Sequence, residues 1–153
     1  MFLLKLTHTL DRHQVSYALV GGYAVALHGA VRGTIDIDIV ISHTLQNFVA
    51  VERALASIGL APRLPVKAAE VFNFREEYIE KRNLTAWSFV NPADPSQIVD
   101  VIITRDLSRM ETVRKKVKNS FVRIIAIEDL LEMKRASGRP QDLADIAALE
   151  QLQ

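Results

Sequence analysis

The sequence predicts one α/β (α+β) domain in which helices flank a mixed β-sheet. Three observations predict this fold class. Helical and strand patterns alternate over the first part of the chain, strand patterns cluster in the second half, and two helical segments end it. The chain has 153 residues, 49% hydrophobic and 24% charged, which is typical of one globular domain. We therefore expect a single domain over 1–153, with its core over about 16–126.

The first part of the chain is predicted to form helix, strand, helix, strand and helix. Apolar residues at helical spacing predict a helix over 2–14, and VSYALVG predicts a strand that runs into Gly21. YAVALHG predicts a short helix and IDIDIVIS a strand. Residues 43–59 predict a helix with an N-cap at His43 or Thr44. The stretch after this helix has mixed periodicity and predicts a turn, a short strand or helix, and a loop.

The second half is predicted to hold most of the strands and a helical end. LTAWSFV and IVDVIIT predict strands, and the turn-rich NPADPSQ between them predicts an antiparallel hairpin. SRMETVRKKVK is predicted to be a short basic helix or loop, and SFVRIIA a further strand. Two helical segments follow, separated at Gly138, with Pro140 in the first turn of the second. We expect a C-terminal helical hairpin over about 127–152.

Composition and charge exclude several classes of function. With 19 basic and 18 acidic residues the formal net charge is +1, so there is no global positive field for tight non-specific binding of nucleic acid. The chain has no cysteine, which excludes disulfides, thiol catalysis and thiolate metal sites. No apolar run is long enough for a signal peptide or a membrane span, so we expect a cytoplasmic protein.

Three aspartates inside strand patterns are the candidate catalytic residues. Side chains alternate along a strand, so Asp36 and Asp38 in RGTIDIDIVIS are predicted to share one face. The opposite face is predicted to point into the core and consists of isoleucines, namely Ile35, Ile37 and Ile39. Asp100 in IVDVIIT is again one acid in an apolar strand, and it completes the cluster if the two strands are neighbours.

A cluster of carboxylates without histidine or cysteine suits magnesium. Two like charges held close together repel unless a cation lies between them. Oxygen donors are the ligands that magnesium prefers. Two metal ions about 3.5–4 Å apart activate a nucleophile and stabilise a leaving oxygen in phosphoryl or nucleotidyl transfer. The three aspartates therefore predict a site for this chemistry.

Gly21 and Gly22 add a candidate phosphate-binding element. They end a predicted strand and open a predicted helix, where backbone N–H groups bind phosphate and glycine permits close approach of a ligand. The alternative is a tight strand-to-helix turn, which the two glycines would serve in either case.

These motifs together resemble the core of the DNA polymerase β-like nucleotidyltransferase superfamily. LVGGYAVALHGAVRGTIDIDIVIS carries the Gly-Gly and Arg-x-Thr-x-Asp-x-Asp motifs, and within the superfamily the chain resembles the minimal bacterial AbiEii-type toxin branch. The late segment LLEMKRASGRPQDLADI is similar to that family's fourth motif. The resemblance implies catalytic and metal-binding roles for Asp36, Asp38 and Asp100. It implies nucleotide binding by Gly21, Gly22, Arg32, Thr34 and Lys134.

The resemblance also implies an activity and partners. We expect a metal-dependent nucleotidyltransferase that moves a nucleoside monophosphate from an NTP to an acceptor hydroxyl. Its cofactor is expected to be two magnesium ions, with manganese as a substitute. The acceptor is left open between tRNA, a protein and a small molecule. The resemblance favours a toxin of a toxin–antitoxin or phage-defence pair, with an antitoxin, another protein or a second copy of the chain as partner, and no membrane.

Two other functions are alternatives. One is a catalytically silent nucleotide-binding or regulatory module of the same fold. The other is an Asp-based phosphatase, because DIDIV matches the motif of haloacid-dehalogenase-type enzymes, although only GTI precedes Asp36 where those enzymes have a long apolar strand.

Several charged residues have a structural alternative to a functional role. Arg32 suits either phosphate binding or an Arg–Asp pair, and Lys134 either phosphate binding or an exposed helix face. Arg139, Asp142 and Asp145 are predicted to form a helix-start and packing network rather than to contact substrate. One basic run suits either a solvated face or a guide for an RNA acceptor; its members are Arg114, Lys115, Lys116 and Lys118.

Overall fold

A computed structural model describes residues 1–153 and has seven α-helices and seven strands. The helices are α1 (Phe2–Arg12), α2 (Gly21–Leu27), α3 (Leu45–Ser57), α4 (Ala68–Asn73), α5 (Arg75–Arg82), α6 (Ile127–Ser137) and α7 (Pro140–Glu150). The strands are β1 (Tyr17–Val20), β2 (Ile37–Ile41), β3 (Ala61–Pro62), β4 (Ala86–Asn91), β5 (Asp94–Asp106), β6 (Thr112–Val117) and β7 (Ser120–Ile125). None of the helices combines the length and the apolar character needed to cross a membrane.

All seven strands belong to one sheet, in the order β3-β4-β5-β2-β1-β7-β6. Strand β2 runs parallel to β5, and β1 runs parallel to β7. The remaining neighbours pair antiparallel, including the predicted hairpin of β4 and β5. The predicted mixed sheet with flanking helices is confirmed.

One face of the sheet packs against α3 through large apolar side chains. Ile37 and Ile39 of β2 are fully buried, and Trp87 of β4 is 2% exposed. Phe48 of α3 stacks on Trp87 with ring centroids 5.9 Å apart and an interplanar angle of 16°. Because side chains alternate along a strand, the residues between these apolar ones point to the opposite face. Asp38 therefore lies on the face away from α3.

Helices begin and end where the sequence has the appropriate terminal residues. Thr44 is the N-cap of α3, and its hydroxyl accepts a hydrogen bond from the Asn47 N–H at 3.1 Å. Gly138 ends α6 in the left-handed conformation with φ +63°, and Pro140 opens α7 in the next turn. The short connection brings α6 and α7 together as the expected helical hairpin.

The prediction for the start of β2 was wrong. The strand begins at Ile37, Asp36 lies in a bend before it, and Ile35 is 67% exposed instead of facing the core. The reason is the length of β1. Its last residue, Val20, pairs with Asp38, and the chain then turns into α2, so β1 offers no backbone partner to the residues before Ile37.

The prediction of a basic helix or loop for SRMETVRKKVK was also wrong. A 3-10 turn over Leu107–Arg109 leads into β6, which pairs antiparallel with β7 along its whole length. Strand β6 is at the edge of the sheet and carries charged side chains on both faces, so it lacks the apolar alternation that marks a half-buried strand. Pairing with β7 decides its conformation in place of local pattern.

Candidate active site

The register of the sheet brings two of the three candidate aspartates side by side. Asp38 of β2 is the direct neighbour of Asp100 of β5 in the parallel pair. The same row continues to Val20 on one side and to Ser88 on the other. Both carboxylates therefore project from the face of the sheet that α3 does not cover. Asp36, in the bend before β2, is close enough to affect the charge of Asp38.

The crowding of carboxylates has a clear electrostatic effect. Burial raises the pKa of Asp38 to about 7, and the neighbouring charges of Asp100 and Asp36 add to this effect, with Lys134 opposing it. A carboxyl group of this kind is only partly ionised at neutral pH. A cation bound among these oxygens would favour the ionised form.

The donor set fits a hard divalent cation, although the cluster is not preformed. No group of three or more His, Cys, Asp or Glu side chains has the arrangement of a ready metal site. The side chains available are carboxylates alone, which is the chemistry that magnesium prefers. Asp38 and Asp100 lie side by side, whereas Asp36 is on a short segment outside the sheet.

Glycine is required at Gly21 by the position of Asp38. Gly21 is the first residue of α2 and has φ +64°, a conformation that other residues adopt at a cost. A Cβ atom built there would lie 2.0 Å from Asp38 Oδ2. Gly21 thus allows the Asp38 carboxylate to sit directly against the start of α2.

Gly22 likewise leaves room for a residue of the loop before β2. A Cβ atom at Gly22 would lie 2.8 Å from Thr34 Cβ. The Thr34 hydroxyl donates a hydrogen bond to the Asp36 carbonyl oxygen at 3.2 Å. The second glycine therefore lets Thr34 pack on α2 and fix the bend that carries Asp36.

A buried ion network joins the loop before β2 to the C-terminal helical hairpin. Arg32 Nε donates to Asp145 Oδ1 at 3.1 Å, and Lys134 Nζ lies 3.0 Å from Asp145 Oδ2. Lys134 Nζ is also 3.3 Å from Asp142 Oδ1. The side chains of Lys134, Asp142 and Asp145 are 8%, 1% and 3% exposed, so the network excludes most water. Arg32 thus forms the Arg–Asp pair that was the structural alternative for it.

Arg139 connects this network to the cavity. Its Nε atom donates to Asp142 Oδ2 at 2.9 Å, and its backbone N–H donates to the same oxygen at 3.1 Å, so Asp142 caps the start of α7. Burial alone would raise the pKa of Asp142, but hydrogen bonds from Arg139, Ser137 and Lys134 outweigh it and hold that pKa well below its usual range. Asp142 is therefore ionised at neutral pH and pairs with two cations.

A cavity of about 890 Å³ opens over the carboxylates, between the sheet and α6. Its volume is in the range of small-molecule and cofactor sites. Both charged and apolar side chains line it. The cations in its wall are Arg32, Arg105, Lys134 and Arg139, and the apolar side chains include Ile35, Ile102, Leu130 and Met133. The cavity can therefore hold an anionic ligand that also has an apolar or planar part.

Several lining residues were missed by the sequence reasoning, although the sequence carries a signal for them. Ile102 and Thr104 follow Asp100 at intervals of two along β5 and so share its face. Leu130, Met133 and Ser137 follow helical spacing on α6 and share a face with Lys134. Ala86 of β4 also lines the cavity, and its place there depends on the register that pairs it with Ile102 of β5.

A second cavity of about 480 Å³ adjoins the first. Thr104 and Arg105, near the end of β5, line both cavities. Arg105 Nη1 is 2.7 Å from Glu132 Oε2, so an ion pair between β5 and α6 lies at the junction. The two cavities therefore lie next to each other along β5, and Asp100 lines the first of them.

Comparisons with known proteins agree with this geometry. Residues 2–152 match the model of a family described as "Nucleotidyltransferase of unknown function (DUF6036)". No curated protein is significantly similar to the chain in sequence. Three solved structures illustrate the shared fold. The lincomycin-bound lincosamide antibiotic adenylyltransferase LnuA has 17% identity and a TM-score of 0.68, over 99% of this chain and 96% of that one.

The other two structures are similar at the same level. ANT(2″)-Ia in complex with adenylyl-2″-tobramycin has 10% identity and a TM-score of 0.64, over 97% of this chain and 85% of that one. A putative nucleotidyltransferase from Thermotoga maritima has 13% identity and a TM-score of 0.63, over 99% and 92%. At these identities the structures establish the fold, and the family match establishes the superfamily that the motifs resemble.

Replacement of Gly21 by alanine is expected to damage the site. The substitution places Cβ against the Asp38 carboxylate and strains a positive-φ residue, so we expect a loss of about 1–3 kcal/mol in the free energy of unfolding. Urea unfolding measures this loss. Gly33→Ala is the matched control, because a Cβ there meets nothing within 4 Å and Gly33 has no positive φ. Equal stability of the two variants would refute the role given to Gly21.

Asp145→Asn is expected to cost about 3 kcal/mol or more in the free energy of unfolding. The substitution removes the anion that Arg32 and Lys134 share, which leaves Arg32 without an acidic partner and Lys134 with Asp142 alone, and breaking a buried ion network is strongly destabilising. Glu150→Gln is the matched control, because Glu150 pairs with Arg135 on the surface, where such pairs contribute about 0–1 kcal/mol. Urea unfolding of both variants makes the comparison, and similar losses would contradict a buried network.

The depressed pKa of Asp142 predicts an acid-sensitive contribution to stability. The unfolded chain takes up the proton near pH 4, whereas the folded chain keeps Asp142 ionised, so stability falls as the pH drops below about 4. One such group contributes a slope of about 1.4 kcal/mol per pH unit. Urea unfolding at a series of pH values between 5 and 2.5 measures the slope. In Asp142→Asn the slope is expected to be smaller by about 1.4 kcal/mol per pH unit, the contribution of one proton. An unchanged slope would contradict a depressed pKa for Asp142.

Proposed function

Because this chain belongs to the nucleotidyltransferase family DUF6036, we propose that it transfers a nucleoside monophosphate from an NTP to the hydroxyl of an acceptor. The observation that carries the proposal is the side-by-side pair of Asp38 and Asp100 at the start of α2, inside a cavity with cationic walls. A triphosphate needs positive charge and backbone donors, and the chemistry needs carboxylates. This cavity offers both.

The proposed cofactor is magnesium, as two ions with manganese as a substitute. Asp36, Asp38 and Asp100 would hold it, which is consistent with the all-carboxylate donor set and with the raised pKa of Asp38. When bound, such ions neutralise negative charge on the phosphates and lower the pKa of a bound hydroxyl.

The chain's own residues supply the remaining steps. The acceptor oxygen attacks the α-phosphorus, the bond from that phosphorus to the oxygen bridging the β-phosphorus breaks, and pyrophosphate leaves with the electron pair. Asp100 is the proposed base for the hydroxyl proton, since it lies beside Asp38 and lines the first cavity. The backbone N–H groups of Gly21 and Gly22 are the proposed phosphate donors.

The cations of the cavity are proposed to contribute to phosphate binding to different extents. Arg139 is 73% exposed in its side chain and uses Nε and Nη2 to bind Asp142, so its Nη1 group is available to donate to a phosphate. Lys134 shares its charge between Asp142 and Asp145, so its effect on a phosphate is weaker. Arg32 and Thr34 are proposed to act mainly by ordering the segment that carries Asp36.

The acceptor is proposed to be a small molecule. The lincosamide adenylyltransferase binds lincomycin, and ANT(2″)-Ia binds an adenylylated tobramycin, so this fold accepts small hydroxylated compounds elsewhere. The second cavity gives such an acceptor a place from which to reach Asp100 along β5. The AbiEii-like motifs support a toxin or phage-defence role as the biological context, with tRNA or protein as the acceptor in that case. The family match replaces the phosphatase alternative.

The proposal predicts magnesium-dependent binding of NTPs and transfer of the labelled nucleotide. At a ligand concentration of 100 times Kd, binding stabilises a protein by about 2.7 kcal/mol. For a chain of this size that is a rise in Tm of roughly 5–10 °C. Asp38→Asn is expected to remove the magnesium-dependent part of this rise. Asp100→Asn is expected to lower transfer of α-labelled NTP to compounds in a cell lysate at least a hundredfold or so.

The control and the adverse outcomes are distinct. Asp94→Asn changes an exposed aspartate on the same strand outside the cavity, and it is expected to behave like the unchanged protein. A shift in Tm with NTP but no labelled product from any lysate would support the silent nucleotide-binding module. No shift with any NTP and magnesium would refute both.

A further inference from the structure

The hairpin of β6 and β7 concentrates positive charge. Residues 112–127 contain five basic residues and no acidic one, whereas the rest of the chain has 14 basic and 18 acidic residues. The net charge of +1 therefore conceals a strongly basic segment on an otherwise acidic chain. The five residues, here called the basic hairpin, are Arg114, Lys115, Lys116, Lys118 and Arg123.

None of these cations forms an ion pair within the protein, although the charge of Arg123 acts to lower the pKa of Asp11. Four of the five are exposed, and Lys115 is half-buried. Arg114 lies directly opposite Arg123 in the antiparallel register. Like charges in directly opposed positions destabilise a hairpin. The repulsion between Arg114 and Arg123 therefore destabilises the hairpin, and an anion bound between them would remove it.

An exposed aromatic ring lies among the cations. Phe121 is 52% exposed and is the direct cross-strand partner of Lys116. The Arg114 guanidinium lies over the Phe121 ring, 4.6 Å from its centroid. Charged side chains protect an edge strand from pairing with other chains, but an exposed phenylalanine does not serve this purpose. A phenyl ring and a guanidinium group flanked by cations form a stacking platform for an unpaired base.

We propose that the basic hairpin binds single-stranded nucleic acid. Phosphates contact Arg114, Lys116, Lys118 and Arg123, and a base stacks on Phe121 beside the Arg114 guanidinium. The ligand is a single strand, because a base inside a duplex is not available for stacking on the ring. This binding function does not depend on the proposed nucleotidyl transfer.

The test uses the full chain and fluorescence anisotropy with a labelled 20-nucleotide oligouridine. The triple variant Arg114→Glu, Lys116→Glu, Arg123→Glu is expected to weaken binding at least tenfold. A plot of log K against log salt concentration is expected to have a slope shallower by about 2 for this variant. Each phosphate contact to a single strand contributes about 0.7 to the slope, and the variant removes three such contacts. Phe121→Ala is expected to weaken binding of the oligouridine roughly fivefold or more while leaving binding of a duplex of equal length unchanged.

The matched control makes the same change of charge elsewhere. Arg53, Arg63 and Lys81 are exposed and lie outside the hairpin, so their replacement by glutamate is expected to alter binding less than threefold. The Tm of every variant without ligand verifies folding, and the further shift in Tm caused by magnesium and ATP separates this inference from the proposed enzyme activity. An oligodeoxyuridine of the same length distinguishes RNA from DNA as the preferred strand.

Three outcomes would overturn the proposal. If the control triple variant weakens oligonucleotide binding equally, the effect depends on the net charge of the protein and not on the hairpin. Binding of phosphatidylserine vesicles without binding of either oligonucleotide would make the hairpin a membrane-surface contact. Absence of oligonucleotide binding by the unchanged protein at 50 mM salt would remove the function altogether.

Discussion

The parallel register of β2 and β5 is the constraint around which the candidate site is built. It places the carboxylates of Asp38 and Asp100 side by side on a largely buried face, where their charges repel. The neighbouring residues accommodate these two carboxylates. Gly21 removes the side chain that would collide with Asp38, and Lys134 supplies an opposing charge from α6. The cavity in front leaves room for a cation and an anionic ligand, which we propose to be magnesium and an NTP.

The C-terminal hairpin is part of this site because of its ions. Of the side chains of α7, only Asp142, Asp145 and Leu149 are buried, so two of the three buried contacts that fix its position are ionic. Asp145 reaches Arg32, and Arg32 precedes the bend that carries Asp36. A buried ion pair gives little net stability, but it fixes geometry because any other arrangement leaves charges unpaired. The hairpin therefore positions the loop before β2 rather than adding stability in general.

Sequence reasoning reached the elements whose signals are local. Helix ends followed from Thr44, Gly138 and Pro140, and the placement of Asp38 on a face opposite the isoleucines followed from alternation along β2. It did not reach features that depend on pairing. The start of β2 is set by where β1 ends, and β6 is a strand because β7 lies beside it. The partners of Lys134 were likewise hidden, since a lysine on a helix gives no sign of whether its neighbours are aspartates.

The raised pKa of Asp38 connects the stability of the chain to its proposed ligand. Between about pH 4 and 7 the unfolded chain has lost the proton that folded Asp38 still holds, so stability falls as the pH rises through this window. Above it the folded chain must carry the ionised group at the full cost. A cation that binds the ionised carboxylates removes this cost, and the free energy recovered is part of its own binding energy. A site that destabilises the empty protein is therefore poised to bind a cation. Packing of the core on the opposite face, where Phe48 stacks on Trp87, offsets the destabilisation caused by these carboxylates.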